Sequence, residues 1–425
     1  MNNPSDIKPP ADGGPTPPAP LRPKLFAALR QRNFRLLWIG QLISSSGSQM
    51  QSVAILWQVY ALTHNPLALG GVGLVRLLPI FIFGILSGVA ADSLDRRKLM
   101  LVTQTGMAVV ALAFALLSFT NTMTIGLLYL LAGLSSTFGA FDSPARQSLI
   151  PTLVPPEDLA NAFSLNSTMF QASNVLGPAL SGLMIGRSGL GWVYLINAIS
   201  FLAVIFSLLA MTGIGGRMED RGAISLGAAL EGIRFVFSHP IIRSTMLLDF
   251  VATFFASASA LLPIFATDIL HVGAEGYGVL YSAAAIGALG AGVILSLLGR
   301  IPRQGRVLLV AVGLFSLGTI VFGFSRTFWI TFCALALTGA SDMVSTVIRN
   351  TSRQLQTPDS MRGRMVSLNM IFFMGGPQLG EFEAGAVANW LGAPVSVILG
   401  GLGSLAAAAW VAATTPELRK YSGQV

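Results

Sequence analysis

The chain of 425 residues is 53% hydrophobic and only 10% charged, and its mean hydropathy is +0.70. Soluble proteins carry roughly 25% charged residues, so this composition excludes a large water-soluble domain and indicates a protein with many membrane spans. The net charge of +8 does not indicate nucleic-acid binding, because the basic residues lie in short loops beside apolar runs, where they set orientation in a membrane.

The chain begins with a polar, proline-rich segment, residues 1–24, which predicts a disordered cytoplasmic tail and not a signal peptide. The next residues, Lys24–Arg35, alternate basic and apolar side chains and predict a short surface helix. The apolar runs beyond are long enough to cross a bilayer, because about 20 residues at about 1.5 Å rise span a hydrocarbon layer about 30 Å thick. Twelve spans are predicted, at residues 35–62, 67–91, 99–119, 122–143, 159–186, 190–212, 242–270, 276–299, 305–325, 327–349, 366–389 and 393–413.

The distribution of lysine and arginine predicts the orientation of these spans. Nearly all loop bases, Arg146 and Arg353 among them, are assigned to the side of the membrane where the first span begins. The opposite loops hold only Arg187 and Arg326. The positive-inside rule therefore places the basic side, with both termini, in the cytoplasm. We predict a multi-pass protein of the bacterial cytoplasmic (inner) membrane.

Short segments of the chain recur in the same order, which indicates two related halves. Arg35–Gln41 aligns with Arg243–Asp249 at an offset of 208 residues. Further along, Ser164–Asn166 aligns with Ser367–Asn369 at an offset of 203 residues. Six spans per half is an even number, so the halves run parallel, and we predict an all-α membrane protein of two pseudo-symmetric six-helix bundles.

The predicted domains follow from this repeat. Residues 25–212 form the first bundle, and residues 242–413 form the second. The segment between them, 213–241, is polar and then amphipathic over Ala223–Ser238, which predicts a linker with a cytoplasmic helix. Residues 414–425 are predicted to form a second cytoplasmic tail.

A densely charged turn, Gly88–Lys98, joins the second and third spans. It resembles the signature loop of the major facilitator superfamily, in which a glycine is followed after three residues by an aspartate and then by bases. The matching residues are Gly88, Asp92, Arg96 and Arg97. Ser93 and Asp95 depart from the pattern, because the superfamily has a base and a second glycine there.

The resemblance implies a fold of twelve transmembrane helices and a switch that holds the cytoplasmic side closed. In that switch Gly88 lets the second helix approach the eleventh, and Asp92 lies near the positive N-terminal end of the eleventh helix. Arg96 would then hold Asp92 or Asp142, the acid that ends the fourth span. The alternative is that the loop only determines topology, which its three bases Arg96–Lys98 do in any case.

The fifth span holds a segment, Phe170–Leu183, that resembles the motif marking antiporters in this superfamily. Gly177, Pro178 and Gly182 match that motif. A proline bends a helix and small neighbours allow close packing, so a purely structural kink is the alternative. The base that many proton-coupled antiporters of the superfamily carry in the fourth span is missing from Leu128–Phe141.

Charged residues within spans are functional candidates, because each costs about 2.5–3.5 kcal/mol or more in lipid. They are Arg76, Asp249, Asp342, Glu381 and Glu383. Asp342 lies deep among the hydroxyl side chains of the tenth span, and we predict that it carries protons or contacts substrate, with structural pairing as the alternative. Asp249 lies near the inner surface, where a solvated position is equally consistent with the pattern.

Arg76 and the two glutamates lie at similar depths in the second and eleventh spans, which are neighbours in this fold. We hypothesise that Arg76 binds Glu381 or Glu383 when the outer side is closed. At 100° per residue the glutamates are about 200° apart around their helix, so at most one can pair. The alternative is that Arg76 reaches the lipid interface or contacts substrate.

A polar stripe runs along the first span. Its members, at helical spacing on one face, are Gln41, Ser45, Ser48 and Ser52. In a bundle of six plus six helices this face is expected to line the central cavity, where Asn166 and Asn369 offer further polar contacts. These side chains are the predicted contacts for a small-molecule substrate.

Several classes of function lack their sequence signals. No Gly-rich phosphate-binding loop occurs, so an ATP-driven pump in one chain is not expected. The histidines His64, His239 and His271 are too scattered for a metal site, and we predict no metal and no cofactor. No set of catalytic residues stands out, so an enzyme is not expected.

Further phrases resemble the bacterial exporter branch of the superfamily, which includes enterobactin exporters and macrolide efflux proteins. They are Asn33–Arg35, Pro144-Ala145, and Thr357–Asp359 leading to Gly363-Arg364. This resemblance implies a monomer that exports a siderophore- or drug-like molecule in exchange for protons, by alternating access. The alternatives are an importer of the same fold and, less favoured, a membrane-embedded enzyme.

Overall fold

The computed structural model describes residues 26–212, 234–298, 301–358 and 361–422. Within these ranges the chain is helical and has no strand, which confirms the predicted all-helical class. Twelve long helical segments lie in these ranges, which is consistent with the twelve predicted spans. They are α1 (Arg32–Thr63), α2 (Pro66–Ser93), α3 (Arg96–Phe119), α4 (Ile125–Leu149), α5 (Leu159–Arg187), α6 (Leu190–Ala210), α7 (Pro240–Ile269), α8 (Gly273–Leu298), α9 (Gln304–Phe324), α10 (Phe328–Leu355), α11 (Arg362–Leu391) and α12 (Ala393–Thr414), with a short helix α13 (Pro416–Lys420) after them.

Nine of the described segments are long and apolar enough to cross a membrane on length and composition alone. The other three, α1, α5 and α11, carry polar side chains that need partners inside the protein. On α1, Gln51 accepts a hydrogen bond from Asn197 at 2.8 Å, and Gln58 accepts one from Tyr194 at 2.7 Å. These interior hydrogen bonds with α6 allow a polar helix to lie within a membrane bundle.

Corresponding helices of the two halves pack in the same way. In the first half α1 packs on α5 and α6, α3 packs on α4 and α6, and α2 packs on α4. In the second half α7 packs on α11 and α12, α9 packs on α10 and α12, and α8 packs on α10. The shared arrangement confirms the pseudo-symmetry that the repeat predicts.

The charged turn between α2 and α3 starts the next helix directly. Asp95 is the N-cap of α3, and its carboxylate accepts hydrogen bonds from the backbone N–H groups of Arg97 (2.9 Å) and Lys98 (3.2 Å). A helix leaves its first N–H groups without partners, and a side-chain oxygen at the N-cap satisfies them. The residue that departs from the superfamily pattern therefore stabilises the start of α3.

The last part of α7 is irregular. Its α-helix ends at Ala256, and a π-helical turn, Phe265–Ile269, completes the segment. Pro263 lies between the two and lacks the N–H group that a regular helix would use. The wide turn presents the carboxylate of Asp268 to α1, where Tyr60 donates a hydrogen bond to it.

The two halves meet at the end of the molecule farthest from the start of α1, which we call the sealed end. There α5 crosses α8 at Gly182 and Gly278, and α2 crosses α11 at Gly70 and Gly385. A Cβ added to Gly182 would lie 2.7 Å from the Cα of Gly278, so this approach requires glycine. The repeat relates the two crossings, since 385 − 182 is 203 and 278 − 70 is 208.

Polar contacts also join the halves at the sealed end. Tyr277 of α8 donates a hydrogen bond to the backbone carbonyl of Val53 on α1 at 3.2 Å. At the surface, Nε of Arg187 lies 3.3 Å from Oε1 of Glu275, and both side chains are exposed. An exposed ion pair contributes little stability, so the buried helix crossings carry most of the seal.

The halves diverge toward the opposite end, where α1 begins, which we call the basic end. Along the seam of α2 and α11, a Cβ added to Gly375 would meet only the ring of Phe81, at 3.9 Å. A Cβ added to Gly84, on the same face of α2 as Gly70 and Gly73, would meet nothing within 4 Å. The halves are therefore in backbone contact at the sealed end, and along this seam they separate toward the basic end.

Two helices extend further toward the basic end than predicted. α4 ends at Leu149 and not at residue 143, and α10 ends at Leu355 and not at residue 349. Arg146 and Arg353, which the sequence analysis assigns to loops, lie within these helices. The assignment is wrong because hydropathy falls beside a basic residue even where the helix continues and its charge is paired inside the protein.

Other expectations at the ends of the halves are revised or lie outside the described residues. The expected surface helix Lys24–Arg35 is replaced, in its described part, by one 3-10 turn, Ala28–Arg30, and by the start of α1. The predicted tail 1–24 and residues 223–233 of the predicted linker helix lie outside the described residues. Residues 234–238 form a helical turn before α7.

We expect a valine at Gly182 to open the sealed end, because its side chain cannot fit against the backbone of α8. Spin labels at Thr122 and Arg326, in loops of the two halves at this end, would report the separation by double electron–electron resonance. The mean distance should be longer in Gly182→Val than in the unsubstituted protein. Gly139→Val is the control, since a Cβ there meets nothing within 4 Å, and an unchanged distance in Gly182→Val would contradict the glycine crossing.

Candidate functional site

An arginine of α10 bridges two aspartates in the second half. Nη2 of Arg349 lies 2.9 Å from Oδ1 of Asp249 on α7 and 3.4 Å from Oδ1 of Asp342 on its own helix. The side chains of Arg349 and Asp249 are 3% and 4% exposed, whereas the side chain of Asp342 is 46% exposed. The bridge therefore connects a buried acid to an acid that is open to its surroundings.

A second arginine, one turn further along α10, binds the same buried acid. Nη2 of Arg353 lies 3.5 Å from Oδ2 of Asp249 and donates a hydrogen bond to the backbone carbonyl of Thr245 at 3.1 Å. Nη1 of Arg353 donates a hydrogen bond to the side-chain oxygen of Asn369 on α11. Two guanidinium groups thus neutralise Asp249, and the cluster ties α7, α10 and α11 together.

The exposed acid of this cluster borders the space between the halves. Asp342 lies near the middle of α10, and α10 is enclosed by α7, α8 and α9. A half-exposed carboxylate at that depth would be costly if it faced lipid. The free face of α10 that carries Asp342 therefore faces the opening toward the basic end.

The first half has the same arrangement with different chemistry. Arg146 corresponds to Arg349, because 349 − 146 is 203, and Gln41 corresponds to Asp249, because 249 − 41 is 208. Nη1 of Arg146 donates a hydrogen bond to Oε1 of Gln41 at 3.2 Å. The acid in this half is Asp142 on α4, 3.9 Å from Nε of Arg146. Both halves therefore keep the arginine, but the buried acid lies on α4 in the first half and on α7 in the second half.

The predicted switch residues are only partly brought together. The buried carboxylate of Asp142 accepts hydrogen bonds from Oγ1 of Thr103 (3.0 Å) and Nε2 of Gln104 (2.9 Å). Arg96 instead donates a hydrogen bond to the backbone carbonyl of Ser148 at 3.2 Å. The expected contact between the described side chains of Arg96 and Asp142 is therefore not made. Thr103 and Gln104, further along α3, donate the hydrogen bonds to the acid instead.

The remaining switch residues lie at the basic end of α2 and α3. Arg97 donates a hydrogen bond to the backbone carbonyl of Leu209, in the last turn of α6, at 3.2 Å. Gly88 is half-buried within α2, and the side chain of Asp92 lies outside the described residues. The role of this loop as a switch stays a prediction.

The Gly-Pro segment of α5 lies where this helix contacts both α1 and α8. A Cβ added to Gly177 would lie 2.8 Å from the carbonyl oxygen of Ser46 on α1. The carbonyl oxygen of Pro178 and the backbone of Gly182 lie against Gly278 of α8. The predicted kink residues are therefore part of the sealed end, and their role in antiport stays a prediction.

Arg76 lies near the seam but does not make the ion pair that we hypothesised. It donates a hydrogen bond to the backbone carbonyl of Ser52 on α1 at 3.4 Å, and it interacts electrostatically with Glu381 of α11. Nitrogen and oxygen atoms of these two described side chains do not approach within 4.0 Å. Glu383 is half-buried about 200° around α11 from Glu381, and so cannot replace it.

The polar stripe of α1 is buried at one end and half-exposed along the rest. Gln41 is buried against its arginine partner, as described above. The half-buried members of the predicted cavity set are Ser45, Ser48, Ser52 and Asn166. Asn369 is bound by Arg353 and so belongs to the charge cluster. The cavity-lining role of the half-buried set stays a prediction.

Sequence reasoning missed Arg349 and Arg353 as site residues. A basic residue at the end of an apolar run is usually an orientation signal outside the span. The sequence analysis therefore did not extend α10 past Arg349 and Arg353, which lie within the helix. The repeat carries the signal that could have found Arg349, since it aligns with Arg146. A buried acid needs a cationic partner, and the sequence analysis assigned none to Asp249. This gap was a second sign that a basic residue had been missed.

The chemistry of the cluster suits protons or an ionised solute. Within the described ranges, no group of three or more His, Cys, Asp and Glu side chains could hold a metal ion. Two guanidinium groups beside the acids would also repel a cation. The cluster holds two guanidinium groups and two carboxylates, so its charges balance only while both acids are ionised.

Two pseudo-symmetric six-helix halves that diverge around buried charges define a transporter of the major facilitator superfamily. A bacterial homologue of the iron transporter ferroportin in an inward-facing state has a TM-score of 0.68 at 16% identity, over 92% of this chain and 99% of that chain. A transporter of the POT family has a TM-score of 0.72 at 11% identity, over 91% of this chain and 97% of that chain. At these identities the likeness shows the fold alone.

The family model described as transmembrane secretion effector matches residues 24–422, and the chain belongs to this family. Among curated relatives, the enterobactin exporter EntS of Citrobacter koseri is 25% identical over 389 residues, which are 91% of this chain and 93% of the relative. The enterobactin exporter EntS of Escherichia coli O1:K1 is 24% identical over 389 residues with the same coverage. Family and relatives confirm the predicted resemblance and a transporter, not an enzyme.

We expect Asp249→Asn to destabilise the protein by about 3–5 kcal/mol, because two buried guanidinium groups lose their counter-charge. Asp342→Asn should cost much less, since Arg349 keeps its contact with Asp249 and the side chain at 342 is half-exposed. Thermal unfolding of the purified variants in detergent would measure both effects as shifts in Tm. Equal shifts for the two variants would contradict the assignment of Asp249 as the central counter-charge.

Proposed function

We propose that the protein exports a small organic molecule from the cytoplasm across the bacterial inner membrane in exchange for protons. The transporter class follows from the fold and the family. Export is supported by the curated relatives, which are named as exporters and align with both halves of this chain.

The basic end is proposed to face the cytoplasm, with both termini on that side. Bases such as Arg30, Lys98 and Arg306 lie in the turns and first helical turns at this end, and the positive-inside rule places such bases on the cytoplasmic side. In this orientation the structure is closed to the outside and open to the cytoplasm. A cytoplasmic solute would enter the space between the halves in this state, and rocking of the halves would release it outside.

The arginine bridge carries the proposal of proton coupling. When Asp342 is ionised, Arg349 is shared between two carboxylates; when Asp342 is protonated, Arg349 is left to Asp249 alone. Because Arg349 joins α10 to α7, each protonation state favours a different balance of contacts between these helices. A proton that binds one conformation better than the other shifts the population between them, which is the requirement for coupling.

The proposed substrate is a siderophore- or drug-like organic molecule. The curated relatives are named for enterobactin, and the present chain offers hydroxyl groups at Ser45, Ser48 and Ser52 on the half-exposed face of α1. Arg76 adds a cationic group near Ser52, toward the sealed end. These groups would hold a solute with several oxygen atoms, including an anionic one.

Two gates are proposed for the alternating cycle. At the basic end Asp92 and Arg96 would help to close the halves after the solute has left. At the sealed end the glycine crossings would hold the outer side shut. Opening one gate while closing the other is the rocking motion expected of two rigid halves around one site.

Transport by inside-out vesicles with an acidic interior would test the export and coupling. With enterobactin and a macrolide as probes, we expect uptake that the pH gradient stimulates. Asp342→Asn should still equilibrate the probe but lose the stimulation, because the group that exchanges the proton is gone. Glu417→Gln, a change of the same type at an exposed position in α13, should behave as the unsubstituted protein.

The same assay separates the proposal from its alternatives. Uptake that ignores the gradient in the unsubstituted protein, in Asp342→Asn and in Glu381→Gln would remove proton coupling. Accumulation only in right-side-out vesicles would indicate an importer of the same fold. Stimulation that survives in Asp342→Asn but is lost in Glu381→Gln would move the proton site to α11.

A further inference from the structure

A cleft lies on one flank of the first half, and the proposed function does not use it. It has a volume of about 600 Å³ and lies between α5 and α6, with α1 as its floor. Its walls include Leu180 of α5 and Ile199 of α6, and its floor includes Ser46 and Gly47 of α1. No charged side chain is among the described residues that line it.

The cleft opens onto the bilayer and not onto the space between the halves. Ile199 is 55% exposed and Phe206 is 64% exposed, on the face of α6 opposite to the buried face that packs on α1 and α3. An apolar face of this kind in a membrane helix is covered by lipid. The cleft is therefore continuous with the lipid-facing surface of the protein.

The depth of the cleft is that of acyl chains and not of headgroups. Its lining on α6 runs from Ile196 to Phe206, whereas α6 itself runs over Leu190–Ala210. At about 1.5 Å per residue, Ile196 lies about 9 Å in from the end of the helix. Only apolar parts of a lipid occupy this middle layer of a bilayer.

Small side chains on α1 create the floor. Gly47 packs so closely on α6 that an added Cβ would lie 2.6 Å from Oδ1 of Asn197 and would also meet Ser200. Ser46 donates a hydrogen bond to Oγ of Ser173 on α5 at 3.3 Å, so its hydroxyl is satisfied by the protein. The floor is therefore formed by closely packed protein atoms, and the hydroxyl group of Ser46 needs no water molecule as a hydrogen-bond partner.

The corresponding position of the second half is filled by the protein itself. At the offset of 208, Ser46 and Gly47 correspond to Phe254 and Phe255 of α7. The ring of Phe255 lies on Gly403 of α12, where an added Cβ would meet ring atoms at 2.8 Å. Gly403 corresponds to Ser200, since 403 − 200 is 203. A phenyl ring and a glycine in the second half therefore replace the glycine and serine that form the floor in the first half.

We propose that this cleft binds one acyl chain of a membrane phospholipid, as a site separate from the transport path. Apolar walls, depth in the hydrocarbon layer and continuity with the lipid-facing surface together define the occupant as a hydrocarbon chain. Leu180 is two residues from Pro178, so the bound chain contacts α5 beside the proline at the sealed end.

Photocrosslinking of lipid to the full-length protein tests this site. The protein is placed in nanodiscs of phosphatidylethanolamine and phosphatidylglycerol with a trace of phosphatidylcholine that carries a diazirine within one acyl chain. After irradiation, mass spectrometry maps the labelled residues. We expect labels on the floor at Ser46 and Gly47, and we expect Ala203→Phe to reduce floor labelling by roughly tenfold, because the ring fills the cleft.

Two further variants keep the test decisive. Ala406→Phe is the matched control, since 406 − 203 is 203 and Ala406 is exposed on α12, and it should leave floor labelling unchanged. Phe255→Ala should create a new label beside Gly403, which decides the question even if Ala203→Phe fails to fold. An unlabelled floor beside a labelled Phe206, or no new label in Phe255→Ala, would overturn the proposal.

A last arm separates the lipid from the transported solute. Excess enterobactin or macrolide should not change floor labelling in the unsubstituted protein, because the cleft lies outside the space between the halves. Competition by either probe would overturn an acyl-chain site and make the cleft part of the transport path. Loss of export alone, with floor labelling intact, would count against the proposed function and not against this site.

Discussion

Charges inside an apolar bundle must be paired, and the second half is organised around that constraint. Asp249 lies between two guanidinium groups on α10, and Arg353 extends the contact to Asn369 on α11. Through these two arginines, the acid on α7 is connected to α10 and α11. Asp342 differs from the other members of the cluster because its side chain is half-exposed, whereas Asp249 and the two arginines are buried.

The sealed end follows a different principle. Two glycine crossings bring the backbones of α5 and α8, and of α2 and α11, into contact, and the internal repeat relates one crossing to the other. Contacts between backbones depend on shape and not on long interlocking side chains, so two rigid halves can form and break them as units. The Gly-Pro segment of α5 belongs to this surface.

The halves share one packing plan but have diverged in their chemistry. Arg146 and Arg349 hold corresponding positions, yet the first half pairs its arginine with Gln41 and Asp142, and the second half uses Asp249 and Asp342. The halves also differ in side-chain volume. The first half has a cleft over Gly47, and the second half has the phenyl ring of Phe255 at the corresponding position. Symmetric packing therefore supports asymmetric sites, one for charge and one for lipid.

The sequence by itself determined the class, the number of spans, the repeat and most helix bounds, because these depend on hydropathy and period along the chain. It also singled out Asp249 and Asp342, since any acid in an apolar run is conspicuous. Only the tertiary structure decided that Arg349 and Arg353 are their partners and that Arg96 binds a carbonyl group. Pairing is set by distances between helices, and no local pattern records how far a neighbouring helix lies or how far α10 continues past its apolar run.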